Sequence, residues 1–145
     1  MTTDPALVDS DTLSELSRGR RFVVTRATEY LERHGRFTIS AVSVLERLRG
    51  YRRALRLGKP LHEQLRQFEM LAATCVVLPV DAAVADRAAT IWAHLGTRAR
   101  RAVGDILIAA TASVHGLPLV TRNRRDFEPM ARVEGIQLTM VDWSR

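Results

Sequence analysis

A chain of 145 residues, 46% of them hydrophobic, is the size of one domain (residues 1–145) with a real core, which excludes a disordered protein. Its longest apolar runs, such as CVVLPV, fall far short of the roughly 20 residues that cross a bilayer. The opening MTTDPALVDSD lacks the basic start and long apolar middle of a signal peptide, so a cytoplasmic protein with no membrane partner is expected. The formal charge of +6 rests on 22 basic residues, among which Lys59 is the only lysine. Such an arginine-rich surface suits a polyanion, either nucleic acid or an acidic protein, though many arginines would equally serve to solvate helix faces.

In chain order, ALVD reads as a short buried strand ending at Asp9, and TLSELSRG as a helix stopped by Gly19. A second helix covers roughly Arg21 to His34, with Phe22, Ala27, Tyr30 and Leu31 inward. RFTIS is the next strand. AVSVLERLRGYRRAL follows as a helix with Ala41, Val44, Leu45 and Leu48 inward, and LGKP is a turn. LHEQLRQFEMLAA is a helix with Leu61, Leu65, Phe68 and Leu71 or Ala72 inward, and TCVVLPV a strand containing Cys75, expected as a buried thiol. Asp81 is placed to cap the helix AAVADRAATIWAHL. TRARRAVG reads as a basic loop, DILIAATASVHG as an apolar helix ending at Gly116, LPLVT as a strand, RNRRDFEPM as a polar loop, and IQLTMVDW as the last strand. Continuous apolar strands alternating with helices predict a parallel sheet covered on both faces, with functional residues at the carboxyl ends of its strands.

The motif inventory excludes several chemistries. There is no glycine-rich phosphate loop and no G-x-S-x-G elbow. His34, His62, His94 and His115 have no paired ligand spacing, which argues against zinc. The acids are more informative. Most belong on polar helix faces, but Asp9 ends the first apolar strand, and Glu46 sits beside an inward row. Asp105 continues the apolar row of Ile108, Ala109 and Ala112, and Asp126 lies just beyond a strand. Each has an ordinary structural reading: Asp9 or Ser10 as a helix cap, Asp105 as an N-cap after Gly104, Glu46 paired with an arginine, Asp126 in a turn. Yet a carboxylate beside an apolar face costs desolvation unless it is paired, and all four fall near strand ends or inward helix edges of one sheet. If they converge, their repulsion raises some pKa values, and a divalent cation relieves it. Oxygen-only ligands select Mg²⁺ or Mn²⁺. With a basic rim, that is the chemistry of a metal-dependent nuclease.

Four blocks, LVDSDTLSEL, FTISAVSVLERLRG, GDILIAATASVHGLPLVTRNRRDFE and the closing strand, together resemble PIN-domain proteins, specifically VapC-type toxins of bacterial toxin–antitoxin pairs. The third block is the most specific. The resemblance covers nearly the whole chain and implies an α/β/α sandwich around a parallel sheet of about five strands. It places the acidic, metal-binding site on Asp9, Glu46, Asp105 and Asp126, supported by Thr121, Asn123, Ser10 and Asp11, the last as an outer ligand. Ser10 and Thr12 are expected to cap the first helix. The implied activity is a Mg²⁺- or Mn²⁺-dependent endoribonuclease leaving a 5′-phosphate and a 3′-hydroxyl, with a cognate antitoxin and a homodimer as implied partners. Arg122, Arg124, Arg125 and the group Arg98, Arg100 and Arg101 are candidates to bind RNA phosphates.

The chain departs from the family pattern in small ways. Ser10 stands where Thr is common, Arg47 follows Glu46 where Leu or an aromatic is usual, and five residues precede the first strand. Two rival readings differ in class. A haloacid-dehalogenase-type phosphatase would share the Asp9-x-Asp11 start, but Leu13 and Ala109 break its motifs and the partner lysine is missing. A PIN-like module that binds RNA or protein without cutting would have no reason to gather carboxylates near phosphates.

Overall fold

The computed structural model describes residues 4–145; the first part of the expected five-residue lead-in lies outside them. Five parallel strands form one sheet: β1 (Leu7–Val8), β2 (Thr38–Ser40), β3 (Val76–Leu78), β4 (Leu119–Val120) and β5 (Met140–Val141), in the order β3-β2-β1-β4-β5. Among the described residues seven α-helices surround it: α1 (Ser10–Ser17), α2 (Arg21–His34), α3 (Ala41–Arg56), α4 (His62–Thr74), α5 (Ala82–Ala93), α6 (Val103–Val114) and α7 (Arg124–Ala131). No helix among the described residues is long and apolar enough to cross a membrane.

The pleat sends alternate residues of the central strands to opposite faces. Leu7 and Leu119, paired side by side, point into a core with Ile91 of α5, Ile108 of α6 and Phe127 of α7. Val8 and Val120 point into the other core, with Leu13 of α1, Tyr30 of α2, Phe37 and Trp143. Burial on both faces is what makes these strands read as continuous apolar runs. The chain moves from β1 outward to β2 and β3, then returns to β1's other side to lay down β4. The order therefore reverses between β1 and β4, and a crevice opens beyond their carboxyl ends.

The parallel sheet and its alternation with helices are as the sequence predicts, but several local features differ. RNRRDFEPM is not a loop: residues 124–131 form α7, although Pro129 removes one of its backbone bonds. Phe127 and Met130, one turn apart and at most 1% exposed, supply the burial that holds it. In α2 the inward residues are Val23, Ala27 and Tyr30, while Phe22 and Leu31 face solvent. In α3 Val42 and Ser43 are buried and Leu45 is exposed. Ala27 and Tyr30 of α2 and Val44 and Leu48 of α3 pack inward as expected, so periodicity finds the right side of each helix and misplaces only Phe22, Leu31 and Leu45 at its edges. In α4 only Phe68 is fully buried. Cys75 is half-buried at the end of α4, its thiol donating to the Leu71 carbonyl at 3.3 Å. Asp81 caps α5 as expected, accepting from the Val84 N–H at 3.0 Å.

Candidate functional site

The crevice beyond β1 and β4 is lined with acids from distant parts of the chain. Asp9 leaves β1 in extended conformation and is itself the N-cap of α1, Oδ1 accepting the Ser10 N–H at 2.8 Å. The capping expected of Ser10 and Thr12 therefore falls to Asp9, and both hydroxyls turn elsewhere. Ser10 Oγ donates to Glu46 Oε1 at 3.0 Å, which ties α1 to α3. Thr12 Oγ1 lies 3.4 Å from the Val120 carbonyl of β4.

Across the switch point, Thr121 Oγ1 donates to Asp9 Oδ2 at 2.9 Å and accepts the Asn123 N–H at 3.0 Å. One buried hydroxyl thus orients Asp9 and knots the turn that leads into α7 and Asp126. Replacing Thr121 by valine keeps the shape and removes both bonds. It should cost about 1–3 kcal/mol in a denaturant titration, and it should loosen Asp9.

Asp11 sits closer to the chemistry than an outer position implies. Thr12 Oγ1 lies 3.4 Å from its Oδ1, and its carboxyl neighbours that of Asp9 and the main chain of Arg122. Its Oδ2 is buried without a hydrogen-bond partner. Burial, then the charge of Asp11, raises the Asp9 pKa well above the usual carboxylate range, against the opposing bonds from Thr121 and Ser10. Burial also raises that of Asp11.

The third strongly placed acid is Asp105. The sequence suggests that it caps α6, but the helix starts two residues earlier at Val103, with Ala102 in the capping position. Asp105 therefore lies inside the first turn, where the helix dipole favours an anion. Its pKa is pushed up to about 6, first by burial and then by the charges of Glu46, Asp126 and Asp11. Those three acids are therefore its electrostatic neighbours. Asp126, in the first turn of α7, is exposed.

Gly104 explains how Glu46 comes so near α6. A Cβ at this position would meet Glu46 Oε2 at 3.1 Å. The absent side chain thus leaves room for the carboxylate, a role that spacing alone does not reveal. Arg49 Nη2 stands 4.0 Å from the same oxygen. Arg47, the departure noted beside Glu46, turns away from the acids. It donates to Ser14 and to the Tyr51 hydroxyl, and its guanidinium lies over the rings of Tyr51 and Phe68. Two clefts flank the acids. One, about 370 Å³, is lined by Ser10, Asp11, Glu46 and Tyr51. The other, about 430 Å³, is lined by Glu46, Asp105, Arg49 and Arg101.

The remaining arginines differ in placement. Arg122 pairs with Glu15 at 3.0 Å and Arg124 with Glu128 at 3.8 Å. Arg100 stacks on Trp92 and donates to the Trp92 carbonyl at the end of α5. Arg98 and Arg125 are exposed. Among the described residues no three acidic, imidazole or thiol groups stand close enough to form a finished metal cage. The donor chemistry nevertheless fits a hard divalent cation: only carboxylate oxygens, one of them buried and unpartnered, and acids whose charge the fold leaves uncompensated.

The family profile described as PIN domain matches residues 6–133. Among solved structures, a toxin–antitoxin complex from Klebsiella pneumoniae is similar, with 26% identity, a TM-score of 0.65, and coverage of 94% of this chain and 95% of that one. FitAcB from Neisseria gonorrhoeae has 25% identity, a TM-score of 0.62, and coverage of 92% and 96%. DNA-bound VapBC from Salmonella typhimurium shares the fold, with 24% identity, a TM-score of 0.74, and coverage of 96% and 98%. No curated protein matches the sequence closely enough to be called a relative. With its parallel sheet, its acids at the switch point and a family match spanning most of its length, the chain belongs to the PIN-domain family.

Proposed function

We propose that this chain is a VapC-type toxin, an endoribonuclease that uses Mg²⁺ or Mn²⁺ and is held in check by a cognate antitoxin. The observation that carries the reading is the convergence of five acids, Asp9, Asp11, Glu46, Asp105 and Asp126, from four segments of the sequence on one crevice. Burial raises the pKa of Asp9, Asp11 and Asp105, and neighbouring acids raise those of Asp9 and Asp105 further. A purely structural use would not concentrate like charge at a sheet end. The likeness to toxin–antitoxin complexes supports the toxin role and the antitoxin partner, and a homodimer and a cytoplasmic setting belong to the same reading.

Asp9, Asp105 and Asp126 would hold the cation, with the buried Oδ2 of Asp11 as a further donor. When bound, the cation supplies charge stabilisation at the phosphate and a lower pKa for the attacking water. The chain's own residues do the rest. Thr121 fixes Asp9, and Ser10 engages Glu46 Oε1. Glu46 Oε2 remains to orient the water and take its proton. The water oxygen attacks phosphorus and the P–O3′ bond breaks, leaving a 5′-phosphate and a 3′-hydroxyl. RNA presented as a single strand or loop offers such a bond without a helix to open.

The test uses the wild-type chain. Adding Mn²⁺ at about 100 times its Kd should stabilise it by about 2.7 kcal/mol, a melting shift of several degrees, and should switch on cleavage of a labelled oligoribonucleotide that EDTA stops. If Mn²⁺ and Mg²⁺ neither shift the melting temperature nor support cleavage, the nuclease reading is wrong and a non-cutting binding module takes its place.

A further inference from the structure

Glu15 is a buried acid that the proposed chemistry does not use. Its side chain is 8% exposed, yet three arginines converge on it. Arg122 Nη1 lies 3.0 Å and Arg18 Nη1 3.4 Å from Oε1, and Arg20 Nε lies 3.2 Å from Oε2. One guanidinium would neutralise the carboxylate. Three leave an excess of two positive charges gathered at one point, with both carboxylate oxygens already engaged. The three arginine side chains are 49–65% exposed, so donors of the planar forks still face solvent.

Beside this cluster is a cavity of about 360 Å³ lined by Glu15, Arg20, Arg21, Phe22, Arg122 and Ser144, within the size range of small-ligand sites. Phe22 is 57% exposed, an aromatic ring that the core has not taken up. The pocket adjoins the acids: the main chain of Arg122 lies beside Asp11, and Thr121 before it holds Asp9. Arg122 and Ser144 follow β4 and β5, and Glu15 lies on the helix that follows β1, so the pocket belongs to the same carboxyl edge of the sheet.

Resting on the ribonuclease reading above, we propose that this pocket binds one nucleotide of the RNA strand next to the cleaved bond, its base stacked on Phe22 and its phosphate on Arg20, Arg21 and Arg122. Glu15 is then the fixed post that pre-organises the arginines. An aromatic face beside a guanidinium cluster is the pairing by which proteins hold single strands with little sequence preference. An acidic protein segment would use the arginines but would leave the stacking ring without a purpose.

The probe is a fluorescein-labelled single-stranded oligoribonucleotide of 12 nucleotides, read by anisotropy in EDTA across a salt series. Phe22→Ala should weaken binding about tenfold, and Phe22→Trp should restore it. Arg20→Ala should weaken binding and lower the salt slope by about one. Both positions are exposed, and unchanged melting temperatures will confirm that the variants are folded. If wild type binds and, with Mn²⁺, cuts RNA while Phe22→Ala and Arg20→Ala match it in affinity and salt slope, the pocket serves a protein or nothing, and the proposal is overturned. A wild-type chain that neither binds nor cuts RNA is a different outcome, which removes the nuclease reading and the pocket together.

Discussion

Replacing Asp105 by asparagine should lower metal-dependent RNA cleavage by about a thousandfold or more, and at neutral pH it should also make the metal-free chain more stable. The two effects have one cause. Burial and the charges of Glu46, Asp126 and Asp11 raise the Asp105 pKa from 3.8 to about 6, so the folded state holds this proton more tightly than the unfolded state does. Above pH 6 the ionised carboxylate destabilises the fold. As pH falls from 6 towards 3.8 the penalty fades, and below 3.8 both states are protonated and it is gone. Asparagine removes the penalty. Asp105 is only partly buried, so with solvent screening discounted the gain is on the order of 1 kcal/mol. Melting curves of both proteins at pH 7.5 and pH 3.5, with EDTA, check the sign: the variant should lead at the higher pH and the lead should vanish at the lower. Cleavage at the wild-type rate, or a variant less stable than wild type at pH 7.5, contradicts this account of Asp105.

Gly104→Val should lower activity about a hundredfold without replacing a single acid. The missing side chain at Gly104 lets Glu46 Oε2 approach to where a Cβ would be 3.1 Å away. Alanine there would ask the flexible end of Glu46 to give by a few tenths of an ångström. Valine adds two methyl groups and should drive the carboxylate out of position by about 1 Å, a displacement that can cost about a hundredfold in rate. The expected series is wild type, then alanine with a modest loss, then valine with about a hundredfold loss in kcat. Helix content should stay near wild type, because the backbone at this position is ordinary helix. Equal rates for wild type and valine would show that Glu46 does not act from its observed position.

The sheet is legible from the sequence because its central strands are buried on both sides, which leaves short unbroken apolar runs, and because glycines stop several helices. The polar segment before Pro129 hides α7. Only two of its residues, Phe127 and Met130, hold it to the core, and two apolar residues in nine are too few to show a period. At the edges of α2 and α3 the sequence misplaces single residues: Phe22 adjoins the buried Val23 and Leu45 adjoins the inward Val44, and choosing between such neighbours depends on what lies opposite. Asp9 and Asp105 stand out in sequence because each adjoins an apolar stretch. Asp11 does not, since its importance comes from a partnerless oxygen and from a turn 111 residues away along the chain, the one holding Arg122. Glu15 and Gly104 look ordinary in one dimension: an acid on a short helix, and a glycine before an aspartate. Their roles exist only once α1 meets the β4 turn and α3 meets α6.

The strand order also governs when the site comes into being. β1 occupies the centre of the sheet, yet its partner β4 is 112 residues further on, and the hydroxyl that orients Asp9 arrives with Thr121. Pairing so distant in sequence is slow to form. During synthesis β2 and β3 can join β1 on one side, while the other side waits as an open edge. Asp9 is made long before Thr121, and its crevice has no second wall until β4 emerges. A chain made only as far as β3 is therefore an unfinished sheet with scattered acids, and the charged crevice takes shape only once β4 and the turn after it have been added.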